Sequence, residues 1–321
     1  MFAVAIYDAN NQSLILARDK FGEKPLYYQV TNDQILFGSE LKIFTTGTSI
    51  SSQAIFRYLA LGYQPFRSTI YNMVYKVQPG EVVIIHFATK KTERRFYSQI
   101  QKKIQPFISG NTRDSEVKQA THDLDRTLKI IVKEKIIADV PVGVYLSGGV
   151  DSSLLAALVS REMSRSVKTF SVKFDIAEYD ESSAAKNVAK HLGSDHTEIT
   201  VSDTDMRNMW ESVIKNLDEP FADPAIFPTY ALSLEAKKYV TVIMSGEGAD
   251  EFFGGYPHYR KYLFAKHLSP FPLWWTKKLL QLLPSQKIAK FIGSPEAFYT
   301  SAQYNMFWNS GFSWRNQYIS L

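Results

Sequence analysis

Short apolar runs separated by turn-forming pairs fill the first hundred residues. Phe2–Tyr7, Leu14–Arg18, Leu26–Val30 and Gln34–Phe37 alternate with Asn10-Asn11, Phe21-Gly22 and Asn32-Asp33, a pattern that predicts β-strands. Ser51–Leu61 has helical spacing, with Ser51 or Ser52 placed to cap it. A further strand over Glu81–His86 follows the Pro79-Gly80 turn. From Arg94 to Asp114 the chain turns polar and aperiodic, so a linker is predicted at 99–114 between domains at 1–98 and 115–321.

After the linker the rhythm changes. Helices are predicted over Ser115–Ile137, Ser152–Ser164, Ser182–Leu192, Asp203–Asn216 and Pro224–Lys238. Between them lie strands over Val142–Leu146, Lys168–Phe174, Thr197–Val201 and Tyr239–Met244. Strands alternating with helices of about a dozen residues mean βαβ units and a parallel sheet covered on both faces. The fold class is therefore α/β, a mostly-β first part followed by a parallel sheet. Ligands of such sheets sit beyond the carboxyl ends of the strands. Both glycine-rich segments of this half follow a predicted strand.

Composition narrows the functions further. At 321 residues the chain exceeds the roughly 150 of one domain, and 45% hydrophobic with 21% charged residues is ordinary globular composition. With no cysteine the sequence holds no disulfide, thiolate metal site or thiol nucleophile. No apolar stretch approaches the roughly 20 residues of a membrane helix, and the start, with an acid at Asp8, is not that of a signal peptide. A cytoplasmic location and no membrane partner are expected. The net charge of +5 resides in the tail: residues 256–321 carry eight bases against Glu296, leaving about −2 for the rest. Those bases are spaced among Trp274, Trp275, Leu279, Leu280, Leu282, Leu283 and Phe291 as on amphipathic helices, so a nucleic-acid surface is not expected.

Two segments carry chemistry. Ser147-Gly148-Gly149-Val150-Asp151-Ser152-Ser153 follows a strand and opens a helix, whose N-terminus attracts phosphate. Gly148 and Gly149 let the backbone approach an anion, and the hydroxyls of Ser147, Ser152 and Ser153 add donors. The lysine of a Walker loop is missing and Asp151 stands among the hydroxyls. A carboxylate tolerates phosphate through a metal, and magnesium prefers one or two carboxylates plus phosphate oxygens. The loop therefore suits a magnesium-bound pyrophosphate. The second segment, Ser245-Gly246-Glu247-Gly248-Ala249-Asp250-Glu251 and on to Gly254-Gly255, places three acids within five residues. Asp250 could complete the metal site with Asp151, and Glu247 could hold or deprotonate an attacking amine.

The second half resembles the synthetase domain of the asparagine synthetases, through SGGVDSS (147–153), FSVKFD (170–175), EYDESSAAKNVAKHLGSDH (178–196), DEPFADP (218–224) and SGEGADEFFGGY (245–256). The first hundred residues resemble the later part of the glutaminase domain of the same glutamine-hydrolysing enzymes, through MFAVAIYD (1–8), ARDKFGEKPLYY (17–28) and FGSELK (37–42). The resemblance implies part of an Ntn-type class II amidotransferase sandwich followed by an ATP-pyrophosphatase domain of the adenine nucleotide alpha hydrolase type. It also implies a two-step ligation. The side-chain carboxylate of aspartate attacks the α-phosphorus of ATP, magnesium pyrophosphate leaves, and ammonia then displaces AMP to give asparagine. Ser147–Ser153 would cradle pyrophosphate, with Asp151 and Asp250 on Mg2+. The backbones of Leu146, Val172, Ser245 and Gly246 would line the adenosine, and Glu247 would act near the ammonia. Asp218, Glu219 and Asp223 would border the substrate. The family's amino-terminal Cys, which releases ammonia from glutamine, has no counterpart here, and the family continues past a region like Ser301–Leu321. The chain is thus expected to be a fragment or a shortened product, unable to use glutamine.

Rival expectations are a nucleotide-binding chain without turnover, a β-lactam-synthetase-like cyclising ligase, and a tRNA-modifying enzyme with the same loop. Substrates would be small molecules, and association into a homodimer is left open. The six histidines show no zinc spacing. His86 and His191 are read as structural or surface groups, Arg18-Asp19 as an ion pair at a strand end, and Tyr58, Tyr63 and Tyr71 as core or interface aromatics.

Overall fold

The structure, a computed structural model, describes residues 1–44, 47–98, 114–163, 166–175, 180–256 and 259. The linker expected at 99–114, apart from Asp114, and the amphipathic pattern around Trp274–Phe291 lie outside the described residues. The chain groups into two compact units, Met1–Gly149 with Ala156–Met244, and Val150–Leu155 with the residues from Ser245 on.

The first unit opens with two antiparallel sheets. One has the order β1-β2-β6-β7, from β1 (Ala3–Asp8), β2 (Ser13–Arg18), β6 (Glu81–His86) and β7 (Thr92–Phe96). The other has the order β4-β3-β5, from β3 (Tyr27–Val30), β4 (Ile35–Gly38) and β5 (Val74–Lys76). Alternate residues Leu14, Leu16, Val83 and Ile85 of the first sheet meet Tyr28 of the second, with Leu26 and Val77, in one buried cluster. That is the period-2 pattern read from the sequence, now closed as a shared core. Helix α1 (Ser52–Leu61) is capped by Ser51, whose hydroxyl accepts from the Ala54 N–H, and it ends at Gly62 in the left-handed conformation.

Arg18 and Asp19 do not form the ion pair expected of them. The Asp19 carboxylate instead accepts N–H groups of Phe2, Phe21, Glu23 and Lys24 at 3.0–3.2 Å. The Arg18 guanidinium donates to the carbonyls of Gly22, Lys24 and Val77. Each charge is matched to backbone dipoles of the 19–24 loop, which two adjacent side chains pointing to opposite faces of a strand end can reach separately. Burial pushes the Asp19 carboxyl up, but the four N–H groups together outweigh it and hold its pKa down to about 2.

Within the same unit, α2 (Asp114–Lys135) leads to a parallel sheet of order β10-β9-β8-β11. Its strands are β8 (Val142–Tyr145), β9 (Lys168–Phe174), β10 (Asp195–Val201) and β11 (Val242–Met244). Thr169, Phe170 and Ser171 are all buried in succession, which requires cover on both faces. On one face Phe170, Val172, Ile199 and Ile243 pack on Leu232 and Ala236 of α6 (Ile226–Ala236). The other face lies under α4 (Ser182–Leu192), whose Lys186 ties to Glu198 of β10 at 2.9 Å. The remaining helices are α3 (Val150–Glu162) and α5 (Asp203–Asn216), the latter closed by a capping box between Ser202 and Asp205. Tyr239 and Val240, expected to open β11, instead bond back to the Ala236 carbonyl and finish the turn after α6. In the second unit the described residues form the first half of α3 and α7 (Ala249–Phe253), the latter entered and left through glycines with positive φ, Gly248 and Gly254. No helix among the described residues is long and apolar enough to cross a membrane.

Candidate functional site

In the first unit, β8 and β11 are hydrogen-bonded neighbours, with Val142, Gly143 and Val144 opposite Val242, Ile243 and Met244. Leaving β8, the chain moves one way across the sheet to β9 and β10, then returns to the far side of β8 as β11. Right-handed crossovers therefore diverge to opposite faces at β8 and β11. A crevice opens where such a reversal occurs, beyond the carboxyl ends of the two strands. These are the ends from which the two glycine-rich segments depart.

The first segment is built by its glycines. Leu146 is buried and donates its N–H to Phe170 O at 2.8 Å, which holds the last residue before the turn in the sheet. Gly148 takes φ +83°, and a Cβ there would lie 2.7 Å from Ala184 Cβ and from Ala185 N. The turn is thus pressed on the first turn of α4, and only a glycine fits. Gly149 serves as N-cap of α3 and has no side chain to close the first turn. Ser147 is exposed, Asp151 is exposed in the first turn of α3, and Ser152 is buried. The Ser153 hydroxyl is buried without a hydrogen-bond partner. Val172 sits half-buried in the middle of β9, in the core beneath α6.

In the second unit, the other segment passes directly over the start of α3. A Cβ on Gly246 would come 3.1 Å from Ser152 N and 3.4 Å from Asp151 Cβ, so the two backbones touch. Ser245 and Glu247 are exposed, while Asp250 is half-buried at the start of α7. The carboxylate of Asp250 rests on Gly255, where a Cβ would lie 1.8 Å from Oδ1. Tyr256 donates to Glu251 at 2.8 Å, and this bond, followed by burial, raises the phenol to about 12. No group of three or more acids or histidines suited to a metal occurs among the described residues. The two acids expected on the metal, Asp151 and Asp250, lie in the first turns of α3 and α7.

The acids expected to border a substrate on the segment after α5 are deployed differently. Glu219 Oε1 accepts the Ile70 N–H at 2.8 Å and Oε2 pairs with Lys76 at 2.6 Å. Asp223 accepts the Ala225 N–H at 2.9 Å, turning the chain into α6. Asp218 keeps one oxygen, Oδ1, buried without a partner. Tyr27, opposite Lys76 in the β3–β5 register, is raised to about 12 by burial, with the Glu219 and Asp218 carboxylates adding to it. The sequence gives no sign of the Glu219 tie, because its partners lie in the first hundred residues.

A parallel sheet whose strand order reverses between β8 and β11 defines an α/β protein of the doubly wound kind. More narrowly, the chain belongs to the asparagine synthase family. The asparagine synthase family model matches residues 123–317, and a glutamine amidotransferase domain model matches residues 1–97. Asparagine synthetase [glutamine-hydrolyzing] 1 of Bacillus subtilis is 37% identical over 285 residues, 88% of this chain and 44% of that protein. Putative asparagine synthetase [glutamine-hydrolyzing] 2 of Methanocaldococcus jannaschii is 32% identical over 80% of this chain and 49% of its own length. The chain therefore spans about half the length of these relatives. Among solved structures, NMN synthetase from Francisella tularensis overlaps at 18% identity with a TM-score of 0.32, over 42% of this chain and 58% of that one.

Proposed function

We propose that this chain carries the ligase half-site of an ATP-dependent, amide-forming enzyme that makes asparagine from aspartate and ammonia. The observation that carries it is the departure of both glycine-rich loops from adjoining parallel strands at the point where strand order reverses. Residues 1–98 would be the later part of an Ntn-type glutaminase sandwich, and 115–321 the ATP-pyrophosphatase-like domain.

In the first step an oxygen of the aspartate side-chain carboxylate attacks the α-phosphorus. The bond from that phosphorus to the bridging oxygen breaks, and pyrophosphate leaves with the electron pair. Ser147, the Gly148 and Gly149 backbone, Ser152 and Ser153 would supply donors for the leaving group, and the start of α3 its positive dipole end. Leu146, Val172, Ser245 and Gly246 would border the adenosine. Asp151 and Asp250 would hold Mg2+, which when bound neutralises charge growing on the leaving oxygens. In the second step ammonia attacks the acyl carbon, AMP departs, and exposed Glu247 takes the proton the new amide must lose. The test is pyrophosphate release by the chain given aspartate, ammonia and ATP with magnesium. Asp151→Asn is expected to lower it at least roughly a hundredfold, as loss of a charge-stabilising group does. Absence of aspartate-dependent pyrophosphate from the unaltered chain would refute the reading.

A further inference from the structure

The helix α6 ends at the amino edge of the parallel sheet, where the Thr241 N–H bonds to Pro141 O just ahead of β8. Its first turn therefore lies toward the carboxyl edge, and residues 217–225 arrive on the side where β8 and β11 end. Three polar links fasten this segment to residues 62–76, and a fourth steadies Lys76 itself. Glu219 takes the Ile70 N–H and the Lys76 ammonium, Lys76 also donates to Gln64 O at 3.1 Å, and the Ala222 N–H donates to Gly62 O at 3.1 Å. The Lys76 and Glu219 side chains are 16% and 14% exposed, so the pair is well shielded from water. A cleft of about 400 Å³ opens beside it among Tyr63, Leu217, Phe221 and Ile226. Apolar packing thus leaves the segment loosely filled on that side, and the polar links are what fix it.

We propose that Lys76 and Glu219 are positioning residues, through which the strand β5 holds the 217–225 segment in place at the carboxyl edge of the parallel sheet. Resting on the ligase reading, this gives the first hundred residues a role in aligning the acceptor side of the site. The tie itself is independent of that reading. Replacing Lys76 by Met leaves Glu219 with only the Ile70 N–H, and the freed carboxylate draws toward water and takes the segment with it. Glu219→Gln keeps the acceptor for Ile70 and loses the charge pair.

Amide hydrogen exchange on the full chain tests this. In Lys76→Met, exchange at Ala222 is expected to quicken by roughly tenfold or more, with less than about twofold change at Leu146, whose N–H is held inside the sheet. Glu219→Gln is expected to quicken Ala222 while sparing Ile70, and the double variant to be no worse than the worse single one. Uniform quickening at Leu146 and Ala222 alike would mean a general structural role and overturn the proposal, as would no change at Ala222. If Lys76→Met does not fold, Glu219→Gln decides by the same two amides. Where the unaltered chain turns over, Lys76→Met should raise KM for the acceptor acid at least roughly fivefold with KM for ATP held. A chain without turnover sinks the ligase reading and leaves the exchange result standing.

Discussion

Gly148 and Gly149 are neighbours in one motif, yet the structure separates their roles sharply. Placing Ala at 148 costs about 1–2 kcal/mol for the left-handed backbone at φ +83°. The new methyl would also sit 2.7 Å from Ala184 Cβ and Ala185 N, and neither can rotate away because one is helix backbone and the other a side chain without torsions. Overpacking of that kind adds about 1–3 kcal/mol. The sum, about 2–5 kcal/mol, must be met by lost stability or by the turn lifting off α4. At Gly149 the backbone is extended, φ −67°, and the nearest obstacle is the rotatable Ser147 hydroxyl at 3.3 Å. Gly149→Ala should therefore cost less than about 1 kcal/mol. Thermal unfolding of the two variants side by side is the assay, with a fall in Tm on the order of 10 °C expected for Gly148→Ala and a few degrees for Gly149→Ala. Equal effects would show that the turn does not rest on α4, and the geometry given for the anion loop would fail with it.

Two further outcomes follow from particular carboxylates. Asp19, buried and held at a pKa of about 2 against 3.8 when unfolded, contributes stability that is present above pH 4 and lost as pH falls through 2, about 2.5 kcal/mol in all. Urea titrations at pH 5 and pH 2.5 should differ by less in Asp19→Asn than in the unaltered chain, and equal differences would refute the assignment. Gly255→Ala should push the Asp250 carboxylate from its resting place while leaving the chain folded, since Gly255 is exposed. Its affinity for ATP with magnesium should drop roughly tenfold, and undiminished affinity would remove Asp250 from the metal site.

Much of the architecture was readable because local signals and tertiary demands agree. Glu81–His86, Lys168–Phe174, Ser182–Leu192 and Asp203–Asn216 have the boundaries that periodicity and caps predict. The strands β5 and β7 escaped notice for different reasons. Val74–Lys76 is only three residues long, and Thr92–Phe96 is an edge strand whose Glu93, Arg94 and Arg95 mask alternation with charge. The helix α7 was hidden in a run whose glycines signal turns. In the candidate site, the glycine-rich loops announced themselves by following apolar strands, but the reversal of strand order between them is a property of the whole sheet.

The carboxylates expose the deeper limit. Asp151, Asp250, Asp218, Glu219 and Asp223 all occur in glycine- or proline-punctuated segments that look equally suited to a ligand. What distinguishes them is the partner each one finds. Asp223 finds its own backbone two residues on, and that turn could have been read from Asp-Pro-Ala. Glu219 finds Ile70 across 149 residues of sequence, a contact invisible to any local rule. Once Lys76 and Ile70 have claimed it, little capacity remains on Glu219 for a substrate, whereas exposed Asp151 and Glu247 retain theirs. Buried acids settle their charge on the nearest donors the fold provides. An acid the fold has committed to a distant donor is told apart from an uncommitted one only by the full set of tertiary hydrogen bonds.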